Sequence, residues 1–142
     1  MSVFSQSFRV YYEDTDAGGV VYYANYLKFL ERCRTEWLRA TGYDQSQLLR
    51  DHRLAFVVRR VEADYLRPAI LDDLLTVDLR VEKLGAAQIV FAQTVSRRNT
   101  AGEPELLLTA RVQIVSVNID TMRPASIPGW MKTQLQEATE RS

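Results

Sequence analysis

The chain has 142 residues, 46% hydrophobic and 25% charged, with 18 Lys and Arg against 18 Asp and Glu for a formal net charge of zero. That length and mix specify one domain, spanning residues 1–142, that buries about two-thirds of its unfolded surface, which excludes disordered and fibrous classes. The balanced charge removes the broad basic field of nonspecific nucleic-acid binding, and a lone cysteine, Cys33, permits no intrachain disulfide framework and no Cys-based metal cluster.

Residues 1–6 lack the basic region and apolar stretch of a secretory signal, and no window approaches the ~18 apolar residues of a membrane span. The expectation is a cytoplasmic protein. Ser7 to Tyr12 alternates, with Phe8, Val10 and Tyr12 on one side, and predicts a strand that stops at a polar, glycine-bearing loop, Glu13 to Gly19. Tyr26, Phe29, Leu30, Cys33 and Trp37 then recur at helical spacing, and Gly42 ends this helix as a C′ residue. Phe29, Cys33 and Trp37 are therefore core candidates.

Asp44-Gln45-Ser46-Gln47 resembles a capping box and opens a short helix to about Asp51, after which His52 and Arg53 return to extended structure. Four strands follow, Ala55–Tyr65, Thr76–Leu84, Gln88–Arg97 and Leu106–Asn118, with separators short enough for antiparallel neighbours. Pro128 leads a last helix to about Ala138, and Thr139 to Ser142 should fray. The order predicts an α+β fold with one antiparallel sheet of about five strands and one principal helix. A single helix leaves a strand edge or face uncovered, which predicts a homo-oligomer.

The densest chemistry lies between Tyr12 and Tyr26. A calcium-loop reading of Asp14, Asp16 and Gly18 fails, because a glycine takes a ligand position and Asn25 stands where the distal Glu belongs. Nucleotide-binding glycine motifs are absent. What the segment supplies is a carboxylate shortly before a helix N-terminus, whose first N–H groups are unpaired and partly positive. Such donors stabilise an oxyanion by roughly 3–4 kcal/mol, while an ionised carboxylate attacks or activates water. A thiol, with a pKa of roughly 8.5, leaves without a general acid, so a thioester fits this equipment and an amide does not. The lone histidine, His52, lies outside the loop, which weighs against a Ser- or Cys-His hydrolase and against a His-dependent dehydratase.

The stretch Val10 to Glu36, VYYEDTDAGGVVYYANYLKFLERCRTE, resembles the 4-hydroxybenzoyl-CoA thioesterase branch of the hotdog fold, in particular its Tol-Pal system-associated acyl-CoA thioesterases. The resemblance continues through Phe56-Val57-Val58-Arg59, Tyr65 to Ala69 and Leu71 to Leu74. It implies a long helix wrapped by a curved antiparallel sheet, subunits joined edge to edge as dimers or tetramers, and hydrolysis of acyl-CoA without metal or organic cofactor. It further implies Asp16 as the catalytic carboxylate, the Tyr23 N–H as the donor to the thioester carbonyl, and Asn25 shaping that turn on the substrate side. Tyr23 stands where the Tol-Pal type commonly has His, so an aromatic acyl group flanked by Tyr22 and Tyr23 becomes thinkable. Arg59, Arg97 and Arg98 are candidates for the phosphates of coenzyme A. Glu31 either reaches the acyl site or pairs with Arg34 on the helix surface, and the sequence leaves both open. A second reading of the same resemblance is a binding protein that holds acyl carrier protein or lipid-synthesis enzymes, with weak hydrolysis.

Overall fold

The computed structural model describes residues 3–140, so Met1, Ser2, Arg141 and Ser142, and the expectations that fall on them, lie outside it. Its strands are β1 (Phe4–Arg9), β2 (Leu54–Tyr65), β3 (Leu74–Leu84), β4 (Gln88–Arg98), β5 (Pro104–Asn118) and β6 (Arg123–Pro124). Its helices are α1 (Tyr26–Ala40), α2 (Gln45–His52) and α3 (Gly129–Glu140). All strands pair antiparallel in one sheet of order β1-β3-β4-β5-β2, with β6 a short addition to β5. Register shifts at Val58/Arg60, Val81/Lys83 and Val95/Ser96 bend the sheet. The α+β architecture, a curled sheet around one long helix, is the expected hotdog arrangement.

The helix seats on the concave face because its apolar stripe meets that of the sheet. Tyr26, Phe29, Leu30, Cys33, Trp37 and Leu38 are buried. Trp37 meets Phe91 edge-on at 5.4 Å and Phe29 meets Phe8 at 5.8 Å. Each such side chain contributes about 1.5–3 kcal/mol by leaving water. The helix stops in a Schellman motif: the Gly42 N–H donates to Arg39 O, the Tyr43 N–H donates to Leu38 O, and Gly42 takes φ 106°.

Several boundaries differ from expectation. The first strand lies at Phe4–Arg9 rather than Ser7–Tyr12, because Val10 leaves the sheet to pair with Asp72 and Asp73 and the chain then folds into a 3₁₀ turn at Tyr12–Asp14. Tyr12 is consequently 82% exposed. His52 closes α2 instead of starting extended structure, with Arg53 left-handed at φ 53° behind it. Thr139 belongs to α3, and β6 carried no period-two signal.

The largest correction concerns the Arg67–Asp73 separator. The strands on either side of it are not neighbours: β2 pairs with β5 at one edge, while β3 pairs with β1 and β4 toward the other. Residues 66–73 therefore cross between the two edges, and Ala69 at their middle is fully buried. The outer edge of β2 is unpaired among the described residues and leaves Val58, Tyr65 and Leu66 about half exposed.

Candidate active site

Asp16 sits at the tip of a tight hairpin. Thr15 bridges Val21, the Asp16 N–H donates to Val20 O at 2.9 Å, and the Gly19 N–H donates to Asp16 O at 3.1 Å. Gly19 takes φ 80°, which lets the chain reverse in so few residues. The Gly18 N–H donates to Asp16 Oδ1 at 2.8 Å and fixes the carboxylate while leaving Oδ2 free of protein donors among the described residues. Behind the tip, Asp14 is buried and organises the base: its carboxylate accepts the Tyr11 N–H, and its carbonyl accepts both the Tyr22 N–H and the Asn25 side-chain amide at 2.8 Å.

The hairpin hangs on the crossover. The Val21 N–H donates to Ala69 O at 2.8 Å, and Val20 bridges Ile70. The crossover is in turn pinned from beneath, since the Ala69 N–H donates to the Tyr26 hydroxyl at 2.8 Å. Burial is the main reason that this hydroxyl titrates above the ordinary tyrosine value. From the sheet, Arg97 reaches Pro68 O at 3.1 Å, Asp73 at 2.5 Å and Glu105 at 3.0 Å. Burial works against the Arg97 charge, but the two carboxylates outweigh it and raise the guanidinium's pKa.

Tyr23 opens a 3₁₀ turn, Tyr23–Asn25, that runs straight into α1. Its N–H finds no acceptor among the described residues and stands at the positive end of the helix. Asp16 and Tyr23 stand at the two ends of this segment, with Val20 O, three residues before Tyr23, accepting the Asp16 N–H. Around Tyr23, the rings of Tyr22 and Tyr23 lie 4.7 Å apart, Tyr65 stands edge-on to Tyr23 at 6.3 Å, and the Tyr65 hydroxyl donates to Tyr23 O. A hydrogen bond with Tyr23 raises the Tyr22 pKa above its ordinary value.

The other expected site residues are dispersed. Asn25 points back into the hairpin base rather than outward. Arg59 is the extra residue of the β2 bulge and is exposed without an ion pair among the described residues. Arg97 is engaged within the protein, and Arg98 donates to Gly102 O in the β4–β5 turn. His52 stacks on Trp130 of α3 at 4.9 Å, and Cys33 is buried with its thiol pKa pushed up to about 12 by burial. No cluster of three or more His, Cys, Asp or Glu side chains able to hold a metal occurs among the described residues.

A cleft of about 380 Å³ opens between α1 and the sheet, lined by Leu27, Leu38, Phe56, Val58, Phe91 and Ile114, with Glu31 and Arg34 among its polar members. The open question over Glu31 is answered against the surface pair: Arg34 turns inward and donates to Gln93 Oε1 at 3.0 Å, while Gln93 Nε2 donates to Leu30 O at 3.0 Å. Sequence reasoning weighed Arg34 only as a surface partner of Glu31 and passed over Gln93. The signal was present, since Gln93 falls on the inward phase of β4 between Phe91 and Val95.

No described helix is long and apolar enough to cross a membrane. A family model described as the thioesterase-like superfamily matches residues 10–135. "Acyl-CoA thioesterase YbgC" of Haemophilus influenzae is 46% identical over 91% of this chain and 91% of its own length. The crystal structure of a probable thioesterase from Bartonella henselae is 38% identical, with a TM-score of 0.82 over 89% of this chain and all of the other. The 4-hydroxybenzoyl CoA thioesterase of Pseudomonas sp. strain CBS-3 is 20% identical over 93% of this chain and 98% of its own, and at a TM-score of 0.85 it shares the fold. With its sheet curled around one long helix, the chain thus belongs to the thioesterase-like superfamily.

Proposed function

We propose that this protein hydrolyses acyl-CoA thioesters to a free carboxylic acid and coenzyme A, with Asp16 as the reacting carboxylate and the Tyr23 N–H as the donor to the carbonyl oxygen. The observation that carries the reading is the Asp16 hairpin, whose carboxylate is held by the Gly18 N–H and whose return strand ends at the unpaired Tyr23 N–H. The thioester hydrolases among its relatives supply the reaction class. As the carbonyl carbon is attacked, negative charge grows on its oxygen, where a preorganised N–H is worth roughly 3–4 kcal/mol. Asp16 takes the proton from the attacking water, or attacks first and is regenerated by water, and the thiolate of coenzyme A leaves unaided.

Arg59 is the better placed of the candidate arginines for the coenzyme's phosphates, being exposed on a bulge and without an ion pair among the described residues. The unpaired β2 edge supports pairing with a second copy, which would also cover the half-exposed Val58, Tyr65 and Leu66.

The test is steady-state hydrolysis of a panel from short aliphatic to aromatic acyl-CoAs, with Asp16→Asn beside the wild type. Asparagine keeps an oxygen for the Gly18 N–H, so the hairpin survives while turnover falls by about 10³-fold or more. An Asp16→Asn enzyme of wild-type activity refutes the mechanism. Uniformly feeble turnover by the wild type would point to an acyl group carried on acyl carrier protein instead. Single turnover in heavy-oxygen water separates the two routes, because attack by Asp16 leaves label in its own carboxylate.

A further inference from the structure

A buried charge normally has an opposite charge beside it, and an arginine without one marks a place where something else completes the pairing. Arg34, partly buried in the wall of a cleft, is such a residue. It lines the cleft between α1 and the sheet, and its one hydrogen bond among the described residues goes to the neutral Gln93 amide, with no carboxylate within ion-pairing distance. Gln93 is itself 1% exposed and locked to Leu30 O, so the guanidinium is held in a fixed pose with most of its donors unused. Around it the cleft is apolar: Leu27, Phe56, Phe91 and Ile114. Glu31 and Lys28, both exposed, line it too, and Thr35 and Gln45 satisfy each other. Burial draws the Arg34 pKa down and nearby Glu31 only partly opposes this.

The cleft begins one turn beyond Tyr23, at Leu27, and follows the helix. From Tyr23 to Arg34 the axis advances roughly 16 Å at about 1.5 Å per residue. Helical side chains lean back toward the N-terminus, so the guanidinium stands nearer Tyr23 than that rise. We infer that Arg34, oriented by Gln93, is a specificity-determining residue that receives a carboxylate at the far end of the acyl group, so that the preferred acyl-CoA is a dicarboxylic monothioester. An extended acyl chain advances roughly 1.25 Å per carbon, from bonds of about 1.5 Å at about 111°, so acyl groups of about six to eight carbons are the lengths to test along the cleft. This inference rests on the thioesterase reading above and names the acyl class for that same site.

The experiment compares kcat/KM for adipoyl-CoA with hexanoyl-CoA, and for suberoyl-CoA with octanoyl-CoA, in the wild type, Arg34→Met and Arg34→Lys. An apolar cleft alone rejects the charged member of each pair, so a wild-type preference for adipoyl-CoA or suberoyl-CoA is already diagnostic. The expected result is that preference, a fall in the ratio of about 10- to 100-fold in Arg34→Met, and partial recovery in Arg34→Lys. A wild type that favours hexanoyl-CoA and octanoyl-CoA, or a ratio that Arg34→Met leaves in place, overturns it. So does an Arg34→Met protein whose oligomers dissociate on size exclusion, since Arg34 would then be pairing with a second copy. Should no acyl-CoA be turned over, the hydrolase reading fails separately. Quenching of Trp37, which lines the cleft, by adipate but not hexanoate then decides the Arg34 site by itself.

Discussion

Arg97→Met tests whether the crossover is what holds the Asp16 hairpin. Arg97 bonds Asp73, Glu105 and the Pro68 carbonyl, and all three side chains are about four-fifths buried, at 19%, 17% and 19% exposure. Methionine keeps the stem but strands two neighbouring carboxylates away from water, with the exposed Arg67, 3.7 Å from Glu105, as a weak substitute. Breaking a fully buried pair costs about 3–5 kcal/mol; the residual exposure here lowers that to about 2–4 kcal/mol. For a chain of this length the unfolding entropy is about 0.3 kcal/mol per degree, so Tm should drop by roughly 7–13 °C. Urea unfolding followed by circular dichroism measures the loss, and the same substitution in an Asp73→Asn, Glu105→Gln background should cost under about 1 kcal/mol because no charge is left stranded. Turnover should fall as well, since Ala69 and Ile70 support the Asp16 hairpin. A loss below about 0.5 kcal/mol, the worth of an exposed pair, refutes the argument.

Asn25→Ala removes one of the two donors on the Asp14 carbonyl and should lower stability by about 1 kcal/mol while cutting kcat about tenfold or more, as read by thermal unfolding and steady-state kinetics. Gly42→Ala meets nothing nearer than Gln134 at 3.9 Å, so its cost is the left-handed backbone alone, about 1–2 kcal/mol by urea denaturation. Burial raises the Cys33 pKa from 9.0 to about 12. Native stability is therefore intact below about pH 9 and falls as pH rises toward 12, by up to about 1.4 kcal/mol per unit, and Cys33→Ala should flatten that slope in pH-dependent unfolding curves.

The central elements were legible because each follows one period. Strands β3 and β4 alternate along their lengths, and α1 carries an apolar stripe ended by Gly42. Their limits were less so, since backbone partners decide them: Val10 is apolar and in phase, yet it pairs with Asp72 and Asp73 rather than extending β1. The crossing of residues 66–73 left no local mark, because a short connection reads the same whether the strands it joins are adjacent or at opposite edges. Asp16, Tyr23 and Asn25 lie within ten positions of one another, and it was the resemblance of that segment, rather than its spacing alone, that singled them out. Arg34 and Gln93 meet only through the packing of α1 on β4, a long-range contact that no spacing encodes.

The crossover also orders events in time. The β3-β4-β5 meander closes through short loops, whereas the hairpin bearing Asp16 docks on residues near position 70, which are themselves anchored at Arg97 and Glu105. Loop-closure entropy makes such distant contacts late and slow relative to the meander, so the expected order has the meander formed before the hairpin docks. Under the proposed mechanism, turnover is a property of the finished topology, and its appearance during refolding would mark the moment when both sheet edges are in place.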